Sequence, residues 1–378
     1  MKKLLVVLLV LAMMFSVVAC GSSDPAPAAE KEEAAPAEEA AEPEMEDAGY
    51  VGISMPTQSS ERWIGDGNNM KDVLEAKGYT VDLQYAEDDI NAQKSQIENM
   101  ITKGAQVLVI AAIDGSTLSS TLDQAGEDGV KIIAYDRLLV NTGAVSYYAT
   151  FDNFLVGVQQ ATSVVVGLEE RFPDFKPWNV ELFAGSPDDT NAAYFFNGAM
   201  SVIQPLIDSG DIIIPSDQTE LAVTGTLRWD GAVAQARLDG ILAANYSAGA
   251  EVHGVLSPYD GLSRGIMSAL TSHGYKVSDG NYPIVSGQDA EVASIKIMMT
   301  TGEQYATIFK DTRTLAAVAA GMVDAVLQGT EPEINDQKTY DNGVKIVDSF
   351  LCEPLIIYVD DIQELIIDSG YIKAEELE

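Results

Sequence analysis

The chain has 378 residues, with 58 acidic side chains, 22 lysines and arginines, and a formal net charge of −36. A charge of this sign repels nucleic acid and anionic lipid, so neither is an expected partner of the folded region. The only two cysteines are Cys20 and Cys352, which excludes a disulfide framework and leaves stability to the hydrophobic core.

The N-terminus predicts a signal peptide over residues 1–19. Lys2 and Lys3 precede an apolar stretch, residues 4–18, that is too short to span a bilayer. Cys20 follows small residues at the cleavage point, which is typical of bacterial lipoproteins. We therefore expect Cys20 to be lipidated and to hold the protein on the outer face of the cytoplasmic membrane. Ordinary signal-peptidase cleavage beside an incidental cysteine is the alternative.

Residues 20–48 are interpreted as the lipidated cysteine and a disordered acidic tether. Residues 21–48 contain ten acidic side chains and one lysine, with almost nothing to bury, and four prolines interrupt any helix. Removing Lys2 and Lys3 changes the net charge from −36 to −38, and the −9 of the tether leaves −29 on residues 49–378. These 330 residues suffice for two lobes, and their acidity favours a neutral or cationic ligand.

From residue 50 onward, short apolar runs alternate with longer amphipathic segments, which predicts an α/β fold with parallel strands. Gly78, Gly104 and Gly129 fall where helices end. In the first half we predict strands at 50–55, 80–85, 107–112 and 130–135 and helices at 61–77, 91–103 and 116–128. After a strand at 147–151 the pattern repeats, with strands near 180–183, 212–214, 252–257 and 284–286. The last predicted elements are strands at 305–309, 344–347 and 355–359 and a helix at 312–328.

Polar side chains follow most of these strands, where parallel sheets place their ligands. The candidates are Arg62, Trp63, Asp136, Arg137, Asn191, Tyr259, Asp260, Asp289 and Lys310, joined by Trp229 from a polar loop. Each aspartate has the alternative role of capping the next helix, and for Asp260 the two roles are evenly weighed. Asp136 is less suited to a cap, because no convincing helix follows it.

The candidates match the chemistry of a pyranose ring. Such a ring has hydroxyls that donate and accept hydrogen bonds, together with apolar C–H faces. Carboxylates supply acceptors, arginine, lysine and asparagine supply donors, and tryptophans supply flat surfaces. A tryptophan is more often a core residue, which is the alternative for Trp63, whereas Trp229 lies between Arg228 and Asp230 in a polar loop.

Sequence motifs for enzymatic chemistry are missing. The chain has no phosphate-binding glycine loop, no H-E-x-x-H and no G-x-S-x-G. His253 and His273 lack the spacing of metal ligands. We predict a protein that is not an enzyme and needs no cofactor or metal. A secreted glycosidase using Asp136 and Asp289 is the alternative in another class.

Eight short segments carry a resemblance to a known family. They are ERW at 61, QIENM at 96, AYDR at 134, YATFDN at 148, GSPDD at 185, SPYDG at 257, SGQDA at 286 and TIFKD at 307. The chain resembles periplasmic sugar-binding proteins of the ribose, xylose and galactose class (type I), and among them the multiple-monosaccharide receptors of ABC importers. Tyr259 and Asn197 differ from residues that the ribose and xylose relatives often have at these positions.

The resemblance implies two Rossmann-like lobes with parallel sheets, joined by a hinge of three segments. The N-terminal lobe would comprise residues 49–152 plus 311–350, and the C-terminal lobe residues 153–310 plus 351–378. It implies a monomer that closes on one aldose, such as glucose, galactose, arabinose or xylose, through the candidate residues and delivers it to an ABC permease. A sugar-sensing protein for a membrane receptor is a further alternative. A repressor of this fold is disfavoured, because an export signal stands where a DNA-binding motif is expected.

Overall fold

The computed structural model describes residues 48–246 and 249–378. The predicted signal peptide, the predicted lipidation site Cys20 and the predicted tether up to residue 47 lie outside the described residues. Within the described ranges, none of the helices combines the length and apolar composition that a membrane span requires.

Strands and helices alternate along most of the described chain. The strands are β1 (Tyr50–Met55), β2 (Thr80–Tyr85), β3 (Val107–Ile110), β4 (Lys131–Tyr135), β5 (Val145–Phe151), β6 (Trp178–Leu182), β7 (Ile212–Ile213), β8 (Gly254–Leu256), β9 (Ile284–Val285), β10 (Thr307–Phe309), β11 (Ser349–Cys352) and β12 (Leu355–Ile357). The helices are α1 (Glu61–Ala76), α2 (Ile90–Thr102), α3 (Ser119–Glu127), α4 (Asn153–Arg171), α5 (Asn191–Ser209), α6 (Leu221–Thr224), α7 (Gly231–Asn245), α8 (Asp260–Ser272), α9 (Val292–Thr300) and α10 (Thr312–Leu327). Short 3₁₀ segments lie at Leu227–Trp229, Val277–Asp279, Val359–Asp361 and Ala374–Leu377, and a π-helical segment lies at Ile362–Asp368.

The first sheet contains six parallel strands in the order β11-β5-β4-β3-β1-β2. Its central strands are apolar on both faces because helices cover both sides. In β3, Val107 and Val109 pack with α1 and α10, whereas Leu108 and Ile110 pack with α2 and α3. The sheet is therefore buried between two helical layers, and its strand ends lead into exposed or cavity-lining loops.

The second sheet contains four parallel strands in the order β7-β6-β8-β9. Val180 and Leu182 of β6 pack with α4 and α5 on one face. Val255 of β8 packs with α7 and α8 on the other face. This sheet has the same layered construction as the first, and the α/β class with parallel sheets is confirmed.

A third, antiparallel pair joins β10 to β12. After β10 the chain forms α10, which packs on the first sheet, and then β11, which pairs with β5 at the edge of that sheet. Only residues 353 and 354 separate β11 from β12. The last part of the chain thus contributes to the first sheet and then returns to β10.

Most predicted elements agree with the structure to within a few residues, but the strand predicted at 344–347 is wrong. Val344 and Ile346 are exposed, at 59% and 42%, so their β-branched side chains do not mark a buried strand. The side-chain oxygen of Asn342 accepts hydrogen bonds from the N–H groups of Val344 and Lys345, which folds the segment into a turn. The strand instead lies at Ser349–Cys352, a four-residue segment that begins with a polar residue.

The close packing of α4 on α5 provides a test of the hydrophobic core that these helices form with the second sheet. A Cβ at Gly157 would lie 1.9 Å from the carbonyl oxygen of Phe195, so Gly157→Ala must push two helix backbones apart. We expect a loss of about 1–3 kcal/mol in the free energy of unfolding, measured by urea denaturation. Gly240→Ala is the matched control, since a Cβ at this exposed position in α7 has no atom within 4 Å. A Gly157→Ala variant as stable as this control would contradict the described packing.

Candidate functional site

A cavity of about 420 Å³ opens at the carboxyl ends of strands from all three sheets. Nine of the ten residues predicted for ligand binding line this cavity, where parallel sheets bind their ligands. They are Arg62, Trp63, Asp136, Arg137, Asn191, Trp229, Tyr259, Asp289 and Lys310. Segments that are far apart in sequence therefore converge on one polar space.

The guanidinium of Arg62 is buried and faces three carboxylates. Its Nη2 lies 2.8 Å from Oδ2 of Asp66, one turn along α1, and 2.9 Å from Oδ2 of Asp136, beyond β4. Its Nη1 lies 3.7 Å from Oδ1 of Asp289, beyond β9. A cation with a side chain only 5% exposed is tolerated only with such partners. Arg62 thus links residues that follow strands of two different sheets.

The charges in this cluster shift one another's protonation. Burial by itself raises the pKa of Asp136, but Arg62, Lys310 and Arg137 outweigh burial and hold that pKa below its ordinary value. Burial dominates at Asp66 and raises its pKa to about 6, although Arg62 opposes the shift. For Arg62, burial lowers the pKa, and the three carboxylates reverse this and raise it well above its ordinary value. Asp136 and Arg62 are therefore both charged at neutral pH.

Asp136 and Asp289, the two carboxylates that face Arg62 from outside α1, both have a left-handed backbone conformation. The φ angle is 58° at Asp136 and 93° at Asp289, and such conformations are costly for residues other than glycine. The carbonyl oxygen of Asp136 accepts hydrogen bonds from the hydroxyls of Tyr148 and Thr150 and from Nδ2 of Asn191. Asn191 therefore holds Asp136 in place through its Nδ2.

Lys310 holds the second of these carboxylates. Its Nζ lies 3.0 Å from Oδ1 of Asp289, and its side chain is 2% exposed. The ammonium also lies 5.7 Å from the ring of Phe151 and 5.6 Å from the ring of Phe195, within the range of cation–π attraction. Asp289 is consequently fixed between two cations, Lys310 and Arg62.

Trp63 is packed more tightly than a ligand platform requires. It is 4% exposed, and the guanidinium carbons of Arg62 and Arg137 lie 4.4 and 5.2 Å from its ring. Trp63 belongs to the hydrophobic core of the first sheet, and its ring also supports the orientation of the two arginines that line the cavity.

Trp229 forms a half-buried wall of the cavity. Its Nε1 donates a hydrogen bond of 3.2 Å to Oδ2 of Asp189, and this oxygen also lies 3.1 Å from Nε of Arg137. The ring makes edge-to-face contacts with Tyr259 and Phe195 at centroid distances of 6.0 and 6.2 Å. Three aromatic rings therefore meet at one side of the polar space.

Asp260 is the one candidate that does not line the cavity. Its side chain is fully buried and accepts hydrogen bonds from Nε2 of Gln304, the hydroxyl of Thr307 and the backbone N–H of Glu291. Burial, followed by the charge of Glu291, raises its pKa to about 8. Glu291 in turn accepts a 2.6 Å hydrogen bond from the hydroxyl of Tyr259. Asp260 acts on the cavity wall only through these neighbours.

Residues that line the cavity without having been predicted as binding candidates include Asp88, Phe195 and Arg264. Phe195 lies one helical turn after Asn191, and Arg264 one turn after Asp260. Residues one turn into a helix share the face of its first residue, so this spacing was an available signal. Asp88 follows β2 and satisfies the strand-end rule already applied to other strands.

The cations that line the described cavity are all paired with carboxylates. The pairs are Arg62 with Asp66 and Asp136, Arg137 with Asp189, Arg228 with Asp188, Arg264 with Glu291, and Lys310 with Asp289. Mutual pairing leaves polar groups of both signs at hydrogen-bonding positions without a large excess of either charge. Such a lining suits a neutral ligand with many hydroxyls.

Two parallel sheets with a polar cavity at their strand ends define an α/β ligand-binding protein. The family model of the periplasmic binding protein domain matches residues 51–331, and the chain belongs to this family.

Curated relatives and solved structures agree with this family. The chain is 55% identical to the multiple sugar-binding periplasmic receptor ChvE of Rhizobium radiobacter, over 88% of this chain and 93% of the relative. It is 34% identical to the D-xylose-binding periplasmic protein of Escherichia coli, over 86% of this chain and 92% of the relative. An ABC transporter solute binding protein from Clostridium phytofermentans, solved with bound β-D-glucose, is 45% identical with a TM-score of 0.83, over 87% of this chain and 100% of that chain.

Removal of the buried cation tests the electrostatics of the site. We expect Arg62→Met to lower the free energy of unfolding at pH 7 by about 3–5 kcal/mol, because Asp66 and Asp136 lose their partner. The difference in the free energy of unfolding between Arg62→Met and the wild type should shrink as the pH falls from 7 to 5. Without the guanidinium the folded-state pKa values of these carboxylates rise, so the folded variant gains protons that the unfolded chain does not.

Lys71→Met is the control for this experiment, because Lys71 forms an exposed pair with Glu75 on the same helix. Its effect should stay below about 1 kcal/mol. An Arg62→Met deficit of that small size, or one that grows toward pH 5, would contradict the assigned ion pairs.

Proposed function

We propose that the cavity binds a monosaccharide, specifically an aldose in its ring form. The observation that carries this proposal is the convergence of charged donors and acceptors from three sheets beside an aromatic wall. A pyranose offers hydroxyls to the ion pairs and a C–H face to Trp229. The glucose bound to the similar Clostridium phytofermentans protein supports the same ligand class, as does the ChvE relative, which is named as a multiple sugar-binding receptor.

Binding is proposed to accompany closure of two lobes, residues 49–152 plus 311–350 and residues 153–310 plus 351–378. Arg62 and Asp136 belong to the first lobe, and Asp289 and Lys310 to the second. In an open form these groups are hydrated, whereas closure removes water and leaves them dependent on sugar hydroxyls and on each other. A ligand that contacts both lobes therefore favours the closed state.

We further propose that the protein is exported, anchored through Cys20, and delivers its sugar to an ABC importer as a monomer. Support comes from the lipoprotein-like N-terminus and from the relatives, which are named as periplasmic proteins and as ABC transporter solute binding proteins. The acidic tether would extend by self-repulsion and keep the sugar-binding domain away from the bilayer.

Catalysis is not part of this proposal. A glycosidase needs one carboxyl group protonated near neutral pH as the general acid. Asp136 is unsuited to that role, because Arg62 and the nearby cations keep its pKa below the ordinary value. The relatives are named as binding proteins and receptors, which also points away from an enzyme.

Asp289→Asn tests the ligand site. We expect its affinity for the bound aldose to fall ten-fold or more, because a hydrogen bond to a charged group contributes about 1.5–3 kcal/mol. Titration calorimetry with D-glucose, D-galactose, D-xylose and L-arabinose is the measurement. Asp82→Asn is the matched control, since Asp82 pairs with Lys103 at the far edge of the first sheet. Unchanged affinity in Asp289→Asn would refute its ligand role.

Cys20→Ser tests the anchor separately. We expect the wild-type protein in the membrane fraction of its cells and the variant in the released fraction, because a serine cannot carry the thioether-linked lipid. Immunoblotting of the two fractions is the measurement. A variant that remains with the membrane would overturn the lipid anchor without affecting the sugar-binding proposal.

A further inference from the structure

The indole of Trp229 lies directly against the backbone of Gly185. A Cβ at Gly185 would lie 2.0 Å from Cη2, 2.4 Å from Cζ2 and 2.7 Å from Cζ3 of this indole. The φ angle of Gly185 is outside the left-handed region, so the backbone conformation itself accepts other residues. Glycine is needed here because of the ring that covers it.

The loop that carries Trp229 is fastened to the same stretch of chain. The N–H of Thr226 donates to the carbonyl oxygen of Gly185, and the N–H of Ala184 donates to the carbonyl oxygen of Thr224. The N–H of Arg228 donates to the hydroxyl of Ser186 at 2.8 Å. These bonds prevent the loop from retreating, so a larger residue at 185 would have to displace the ring itself.

The ring is also confined on its other sides. Its Nε1 is bonded to Asp189, and its edges meet Tyr259 and Phe195. Trp229 itself has a φ angle of 56°, a left-handed conformation that bulky residues adopt only under the constraint of their surroundings. The orientation of the indole is therefore set by its contacts, and Gly185 supplies the backbone surface on which the ring lies.

We propose that Gly185 is a positioning residue for sugar binding: by lacking a side chain it sets the depth and tilt of the Trp229 ring in the cavity. This inference rests on the proposed function, in which the indole packs against the C–H face of an aldopyranose. Gly185 has no side chain to contact the sugar, so it acts on binding only through the position of Trp229.

A double-mutant cycle tests this role. The ligand is whichever of D-glucose, D-galactose, D-xylose and L-arabinose binds the wild type most tightly. Titration calorimetry then measures the affinity of the wild type, Gly185→Ala, Trp229→Ala and the double variant for this sugar. We expect Gly185→Ala to weaken binding about ten-fold or more. In the Trp229→Ala background, Gly185→Ala should change affinity by less than about two-fold, because the ring on which it acts is gone. Gly240→Ala should bind as the wild type does.

The outcomes separate this inference from the proposed function. Wild-type protein that binds none of the four aldoses overturns both. Two results overturn the positioning role alone, provided that the wild type binds an aldose. One is a Gly185→Ala affinity equal to that of the wild type. The other is an equal loss of affinity from Gly185→Ala with and without Trp229→Ala. If Gly185→Ala does not fold, as judged by circular dichroism, Gly185→Ala with Trp229→Phe should fold, because phenylalanine lacks the far ring atoms. A double variant that remains unfolded would contradict the inference.

Discussion

The structure depends on how one buried guanidinium is neutralised. Arg62 faces Asp66 on its own helix, Asp136 after a strand of the first sheet and Asp289 after a strand of the second. An unpaired charge at this depth would be strongly destabilising, so the strand ends must stay close enough to supply their carboxylates. The carboxylates that neutralise Arg62 are therefore also hydrogen-bond acceptors placed around the cavity.

Neutralisation within the lining also prepares it for a ligand. Lys310 shares Asp289 with Arg62, and Arg137 faces Asp189, so in the described cavity these polar groups are held by partners of opposite charge. A preorganised site loses less side-chain freedom on binding. The cost is local backbone strain at Asp136 and Asp289, which the hydrogen bonds around them offset.

The alternation of short apolar runs with amphipathic segments predicted the first strands well. Strands β1 and β2 have the predicted bounds, and β3 ends two residues earlier than expected. The segment at 344–347 failed because β-branched residues in an exposed turn have the composition of a strand without its burial. Composition over four residues cannot distinguish these cases; the turn formed by Asn342 decides between them.

The site was predictable from strand ends, but side-chain direction was not. Most of the nine candidates reach the cavity because they follow parallel strands, whose carboxyl ends meet at the same edge of a sheet. Trp229 instead lies in a loop before α7, and Lys310 follows β10 of the antiparallel pair. Asp260 occupies an equivalent place in the sequence, yet its carboxylate points into a buried network with Gln304 and Thr307. Phe195 escaped notice because it enters from one turn inside α5. Burial and rotamer are set by tertiary neighbours, which no single stretch of sequence contains.

A crystal structure grown with D-glucose is the most direct measurement of the central claim. The account predicts one sugar ring in the cavity, with hydroxyl oxygens within about 3.2 Å of Arg62 and of the carboxylates of Asp136 or Asp289, and with a C–H face on Trp229. Glucose bound at another surface, with the Arg62 cluster untouched, would contradict it.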